Sequence, residues 1–212
     1  MRYSPSTVMG KLTLSAGLLG STILLAGCSH HSTDPTPGTA TTANIDSRPS
    51  NLKKIAFQGI SLPVADQGPR DTSGAVVSGF DRNPVGASLA AINATVRISV
   101  ATDSEWALIG QRMLASGPGR DAWAIARSQI SITDPITASA LRIAGYRVVN
   151  YAPDRAEIAI FTIQSDQSLT RNTATVIWQD GDWKLLLPGH PQSSLVQTVT
   201  ALPSNLIPLP LP

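Results

Sequence analysis

Along the middle of the chain apolar residues return every three or four positions, and along its last third they return at every second one. The pattern therefore predicts helices followed by strands. Val85, Leu89, Ile92, Val96 and Val100 share one helical stripe behind an Asn83-Pro84 pair, which supplies an N-cap and a proline at the first helical position. Ala87, Ala90, Ala91 and Ala94 keep this helix slim, so it can lie close against a sheet. The capping-box pattern Thr102-Asp103-Ser104-Glu105 opens a second helix with Trp106, Ile109 and Met113 on one side. Ser116-Gly117-Pro118-Gly119 breaks it, and a third helix from about Arg120 carries Trp123, Ala126 and Ile130. Upstream, residues 55–62 read as one short strand or extended lead-in, and residues 63–83 as a loop rich in Gly, Pro, Asp and Ser.

The period then changes. Leu141, Ile143, Val149 and Tyr151 alternate with polar or small residues, with Gly145 and Arg147 interrupting the apolar face; Ala156, Ile158 and Ile160 alternate after a turn at residues 152–155. A third run, residues 172–179, leads into Asp180-Gly181, the pair best suited to a two-residue hairpin because both residues tolerate positive φ. That turn sets Gln179 against Asp182 and Trp178 against Trp183, followed by a last strand to Leu187. The expected fold is α+β, with helices packed on a bent four-stranded antiparallel sheet. Residues 54–191 make up the domain, and a tail over 192–212, with prolines at 203, 208, 210 and 212, is expected to fray or lie on the surface.

The beginning of the chain has a different character. Arg2 and Lys11 precede an apolar run over 12–24, too short for a membrane span, and then Leu25-Ala26-Gly27-Cys28. Residues 1–27 read as a signal peptide. Leu25, Ala26 and Gly27 before Cys28 resemble the lipobox of bacterial lipoproteins, in which small residues admit the peptidase and the thiol accepts a lipid. Cys28 is the one cysteine of the chain, and lipidation removes the difficulty of an unpaired thiol in an exported protein. Acyl chains such as palmitate would then hold the protein on the outer face of the cell membrane. From Cys28 to Lys53 the chain is a flexible tether: its 22 residues from Ser29 to Ser50 have Ile45 as their only large apolar side chain, and reach on the order of 25 Å as a random coil.

Composition narrows the function. Of 212 residues, 42% are hydrophobic and 14% charged, which excludes a coiled coil and a polytopic membrane protein. The net charge of +2 comes from 16 basic and 14 acidic residues; without Arg2 and Lys11 the two signs balance, so no basic surface argues for nucleic acid. The mature sequence lacks the nucleotide, metalloprotease and nucleophile-elbow motifs, and no cofactor or metal is expected. His30 and His31 read as spacer residues, and His190 as a loop histidine. Asp134, Asp154, Glu157, Asp180 and Asp182 read as turn or strand-surface carboxylates, while Asp103 and Glu105 are accounted for by capping. Tyr146, in mid-strand beside Gly145, reads as a core tyrosine and Arg147 as a rim residue.

Three helices followed by four antiparallel strands that close on Trp-x-x-Gly-Asp-Trp-x-Leu resemble the cystatin-like superfamily of cone-shaped domains, of the nuclear transport factor 2 and SnoaL kind. Within it the sequence is similar to actinobacterial envelope proteins through Leu62-Pro63, Gly68-Pro69, Gly79-Phe80, Pro84-x-Gly86-Ala87 with Ala90-Ala91, Gly145-Tyr146 and residues 178–185. This resemblance covers about residues 57–188. It implies a cone cavity, and distantly the assembly factors of conjugation and type IV secretion. Three readings follow. The first is a non-catalytic, membrane-anchored module that binds another envelope protein. The second is a carrier or sensor of a small apolar ligand held near Trp106, Trp123, Tyr146, Trp178 and Trp183. The third is a SnoaL-type isomerase or hydrolase.

Overall fold

A computed structural model describes residues 43–134, 141–191 and 194–210. It is α+β. Strands β1 (Lys53–Phe57) and β2 (Ile60–Val64) form a hairpin, followed by helices α1 (Pro84–Val100), α2 (Trp106–Met113) and α3 (Pro118–Arg127). Then come β3 (Arg142–Ala152), β4 (Arg155–Ile163), β5 (Leu169–Gln179), β6 (Asp182–Leu186), β7 (Val196–Val199) and β8 (Ile207–Pro208). Helix α1 begins as its sequence dictates: the Asn83 side-chain oxygen accepts from Gly86 N at 2.8 Å, with Pro84 next in line. Almost every side chain from Pro84 to Arg97 is buried, because the alanine-rich helix packs against the sheet on one side and is covered by β2 and the loop before the helix on others. At Gly86 a Cβ would come within 2.1 Å of the Asp81 carbonyl oxygen, so only glycine allows that approach.

The main sheet has six strands, not the expected four: β6-β5-β4-β3-β8 in order, with β7 also on β5. The four long strands lie where alternation predicts them. The two short ones come from the segment expected to be a tail. Ile207 and Leu209 are buried, and β8 pairs with β3 through Gly145↔Pro208 and Tyr146↔Ile207. Proline stands there without loss, since an edge strand need not donate on its outer side. The domain therefore runs past residue 191, and it also starts before residue 54: Asp66 N donates to Ser50 O and Ser50 N to Gln67 Oε1, each at 3.0 Å, and Leu52 packs on the core, so the last residues of the expected tether are held on the domain.

Three further expectations are corrected. Residues 55–62 are not one strand; Gln58 and Gly59 take φ of 49° and 80° and fold them into the β1–β2 hairpin. In β3 the alternation slips at two irregularities, between Ile143 and Gly145 and between Val148 and Asn150. The buried set is consequently Ile143, Tyr146 and Val148, and Tyr151 is half-buried. On α3 the covered side is Trp123, Ala124 and Arg127, while Ala126 faces solvent, and Ile130 is exposed beyond the helix end. A buried arginine took the place that an apolar stripe predicts, because it has carbonyl and carboxylate partners at hand.

Candidate functional site

The sequence-predicted binding residues fall in three separate places. Trp106 and Trp123 meet edge to face, with centroids 6.0 Å apart, where α2 crosses α3. The Trp123 ring occupies the space above Gly110, at which a Cβ would stand 2.4 Å away, and the Arg127 guanidinium lies 5.7 Å from the Trp106 ring. Trp178 and Trp183 pair across the β5–β6 hairpin at 5.4 Å, in the register that Asp180-Gly181 predicts. Trp183 donates from Nε1 to Asp81 O at 2.9 Å, and Arg82 covers Trp178 at 5.2 Å. Tyr146 is fully buried beneath α1. Burial pushes its hydroxyl pKa above the usual tyrosine value, the Ser88 side chain opposing this only in part, and the Ser88 hydroxyl itself donates to Pro84 O at 2.8 Å. None of the five lines the principal groove described below. Cys28, Leu25, Ala26, Gly27, His30 and His31 lie outside the described residues.

Several ionisable groups are engaged in holding loops. Asp182, expected on the strand surface, is buried: its carboxylate accepts from Gly79 N (2.9 Å), Phe80 N (3.1 Å) and Trp183 N (2.9 Å), fixing the long loop before α1 to the hairpin. Neither Asp103 nor Glu105 caps α2 with its side chain: Glu105, at the N-cap position, turns its carboxylate back to accept from Thr102 N at 3.1 Å and from Thr102 Oγ1 at 2.8 Å. Asp103 instead accepts from Ile132 N, the Ser131 hydroxyl and Arg127 Nη2 (2.9 Å), which hold its carboxyl down at about 2. Arg97, 1% exposed, donates to Ala75 O at 2.6 Å with its guanidinium 4.2 Å from the Phe57 ring; burial lowers its pKa to about 10, against the opposing field of Glu105. The contacts of Asp182 with the loop before α1, of Asp103 with α3 and the residues after it, and of Arg97 with Ala75 are not legible in the sequence because each joins residues far apart in the chain.

The concave space lies between α1 and the sheet. A smaller apolar cleft of about 270 Å³ is bounded by Ile92, Val96 and Val100 of α1 and by Ile160 of β4. At its polar side Gln164 Nε2 donates to the hydroxyls of Thr162 (3.1 Å) and Thr170 (3.0 Å), which are themselves 2.6 Å apart. A larger cleft of about 570 Å³ adjoins it, and Thr95, Ser99, Asn172 and Val196 line both. The larger one opens at the free edge of β5. There β6 pairs with residues 175–179 and β7 with residues 169–172, so Thr173 and Ala174 stand between the two edge strands, bridged by Thr173 N donating to Leu195 O at 3.1 Å. Register puts Asn172 and Ala174 on the α1 side with Ile160 and Ile158. Arg155, which also lines the larger cleft, is on the opposite face with Thr173 and Thr175. The groove thus passes through a window in the sheet edge.

Its chemistry is mostly neutral. Alkyl side chains line the interior, hydroxyl and amide groups the junction, and Arg155 is the charged residue at the outer lip. The Thr95 hydroxyl oxygen is buried without a hydrogen-bond partner, an arrangement that native interiors rarely leave. Among the described residues no cluster of His, Cys, Asp and Glu could hold a metal ion, and no helix is long and apolar enough to cross a membrane. No curated protein and no solved structure matches the chain. A family model does match, over residues 26–205, and the chain accordingly belongs to the family described as a domain of unknown function, DUF8175.

Proposed function

We propose that the protein is a lipid-anchored, extracytoplasmic module of the cell envelope, a cone of the cystatin-like kind that binds another envelope component and does no chemistry on it. The anchor is Cys28, behind Leu25-Ala26-Gly27, in the one segment of the chain with the pattern of a lipobox. One observation carries the binding role: the groove between α1 and the sheet is lined by alkyl, hydroxyl and amide groups with Arg155 at its outer lip, while Arg97, Arg127 and Asp182 are engaged in loop and helix contacts outside it. Such a surface holds a guest and orients it, and lacks the paired acid and base that an isomerase or hydrolase uses.

Two occupants suit this reading. An envelope protein, for instance of a secretion or conjugation assembly, finds an apolar rim at Leu195 (41% exposed) and Val196 (50% exposed). A small apolar molecule finds an open cleft whose volume is in the range of ligand pockets. A photo-crosslinking residue placed at Val196 of the full-length chain in native membranes is expected to capture the occupant, whereas the same residue at Asp180, at the exposed hairpin turn, captures none. Cys28→Ser is expected to release the protein from the membrane fraction. Equal capture at both positions, or a Cys28→Ser protein that stays membrane-bound, would overturn the proposal.

A further inference from the structure

We infer that the groove takes a single-chain amphiphile with an anionic head, its alkyl chain between α1 and the sheet and its head at Arg155. The inference rests on the groove being the binding site, and names what fills it. The window at the β5 edge sets the polarity of the guest. Inside, Ile92, Val96, Val100 and Ile160 offer alkyl contact in a space fit for a chain and too apolar for a charge. At the junction of the two clefts Ser99 and Asn172 line both, and their hydroxyl and amide groups offer hydrogen bonds to an ester, amide or carboxyl group of a guest at that depth.

Outside the window stands Arg155. It begins β4 at the turn from β3, its guanidinium makes no hydrogen bond or ion pair with the described residues, and it lines the larger cleft across the sheet edge from the apolar interior. A free guanidinium beside a neutral channel favours a carboxylate or phosphate head, and offers it a bidentate contact. The order along the channel is alkyl, then hydrogen-bonding, then cationic. That is the order of groups in a fatty acid or a monoacyl glycerophosphate, and it does not suit an extended polypeptide, which needs polar partners along its whole length.

Native mass spectrometry of the full-length protein, released from detergent, tests this with added oleoyl lysophosphatidate, oleate, monoolein and inorganic phosphate. Lysophosphatidate or oleate is expected to bind one per chain, with the stronger of the two identifying the head; monoolein binds more weakly and phosphate alone not at all. Arg155→Ala is expected to weaken the anionic lipid about ten-fold and to leave monoolein unchanged. Ser99→Trp, at an exposed position of α1 that lines both clefts, is expected to block both lipids while the circular dichroism spectrum and melting temperature stay those of the parent. Anionic lipid that binds Ser99→Trp or Arg155→Ala as it binds the parent overturns the inference. If Ser99→Trp blocks lipids but Arg155→Ala does not, the anionic head falls and the groove stands. If no lipid binds while Val196 crosslinks a polypeptide, the amphiphile falls and the protein-binding reading stands.

Discussion

The two ends of β5 are closed by opposite means. At its C-terminal end the chain turns back at once through Asp180 and Gly181, with φ of 53° and 77°, and lays β6 against it with Trp178 facing Trp183. At its N-terminal end the partner is β7, which returns only after the excursion over residues 187–195 and is mostly exposed. A two-residue turn fixes register locally, and the strands pack tightly side by side. A long connection pays more chain entropy to pair four residues and leaves Thr173 and Ala174 between two edge strands. The rigid end fastens loops, and the loosely closed end makes the groove.

If that contrast is physical, substitutions at the hairpin end must cost far more than those at β7. The largest effect is expected for Trp183→Ala. Its ring is 3% exposed, is packed by Trp178 and Tyr151, and its Nε1 holds the Asp81 carbonyl. A loss of about 4 kcal/mol is expected, from the cavity and the orphaned carbonyl together, read as a fall in the urea midpoint. A loss under about 1 kcal/mol would show the hairpin to be a surface feature. Next comes Asp182→Leu, which leaves Gly79 N and Phe80 N buried without an acceptor. About 3 kcal/mol is expected, with faster amide exchange confined at first to the loop before α1. Asp182→Asn keeps one acceptor oxygen and should fall between the parent and the leucine variant.

The same contrast explains what the sequence made legible. The helices, the four long strands and the Trp178–Trp183 register are all written in residues near one another, through capping, periodicity and a turn whose φ angles two residue types favour. Asp182 has the sequence signature of an ordinary strand-surface carboxylate because its partners lie about a hundred positions earlier, in a segment whose only local signal is loop. The β1–β2 turn is faint in the sequence since Gln58-Gly59 is a weaker hairpin pair than Asp-Gly, with Gly59 as its one local sign. Short edge strands in a Leu-Pro tail have no periodicity to read at all: Ile207 and Leu209 are buried by what Gly145 lacks, a side chain. The groove was illegible for the same reason, for it is bounded by α1, the middle of β5 and the start of β7. The tryptophans, which composition makes conspicuous, pack elsewhere.

Gly145→Ala tests the tail's attachment and is expected to cost about 2 kcal/mol. A Cβ there would stand 2.3 Å from the Ile207 carbonyl oxygen, so β8 must move and with it the burial of Ile207 and Leu209. Hydrogen exchange is the more telling measurement: protection of Leu209 N, which donates to Ala144 O at 3.0 Å, should be lost while that of β5 and β6 stays. Uniform loss across the sheet would mean that β8 is part of the core rather than an attachment to it.

The smallest effect is expected at the loosely closed end, and there the two properties separate. Val196→Thr changes a half-exposed residue of an edge strand that pairs with Asn172. Threonine keeps the β-branched shape that a strand accepts, so stability should stay within about 0.5 kcal/mol of the parent. Yet Val196 borders both clefts, and the added hydroxyl makes their shared wall polar. A guest with an alkyl chain should therefore bind several-fold more weakly to a protein that melts at the parent temperature. A variant that melted much earlier would show that β7 belongs to the framework, and the division between a fastening end and a receiving end of β5 would have to be given up.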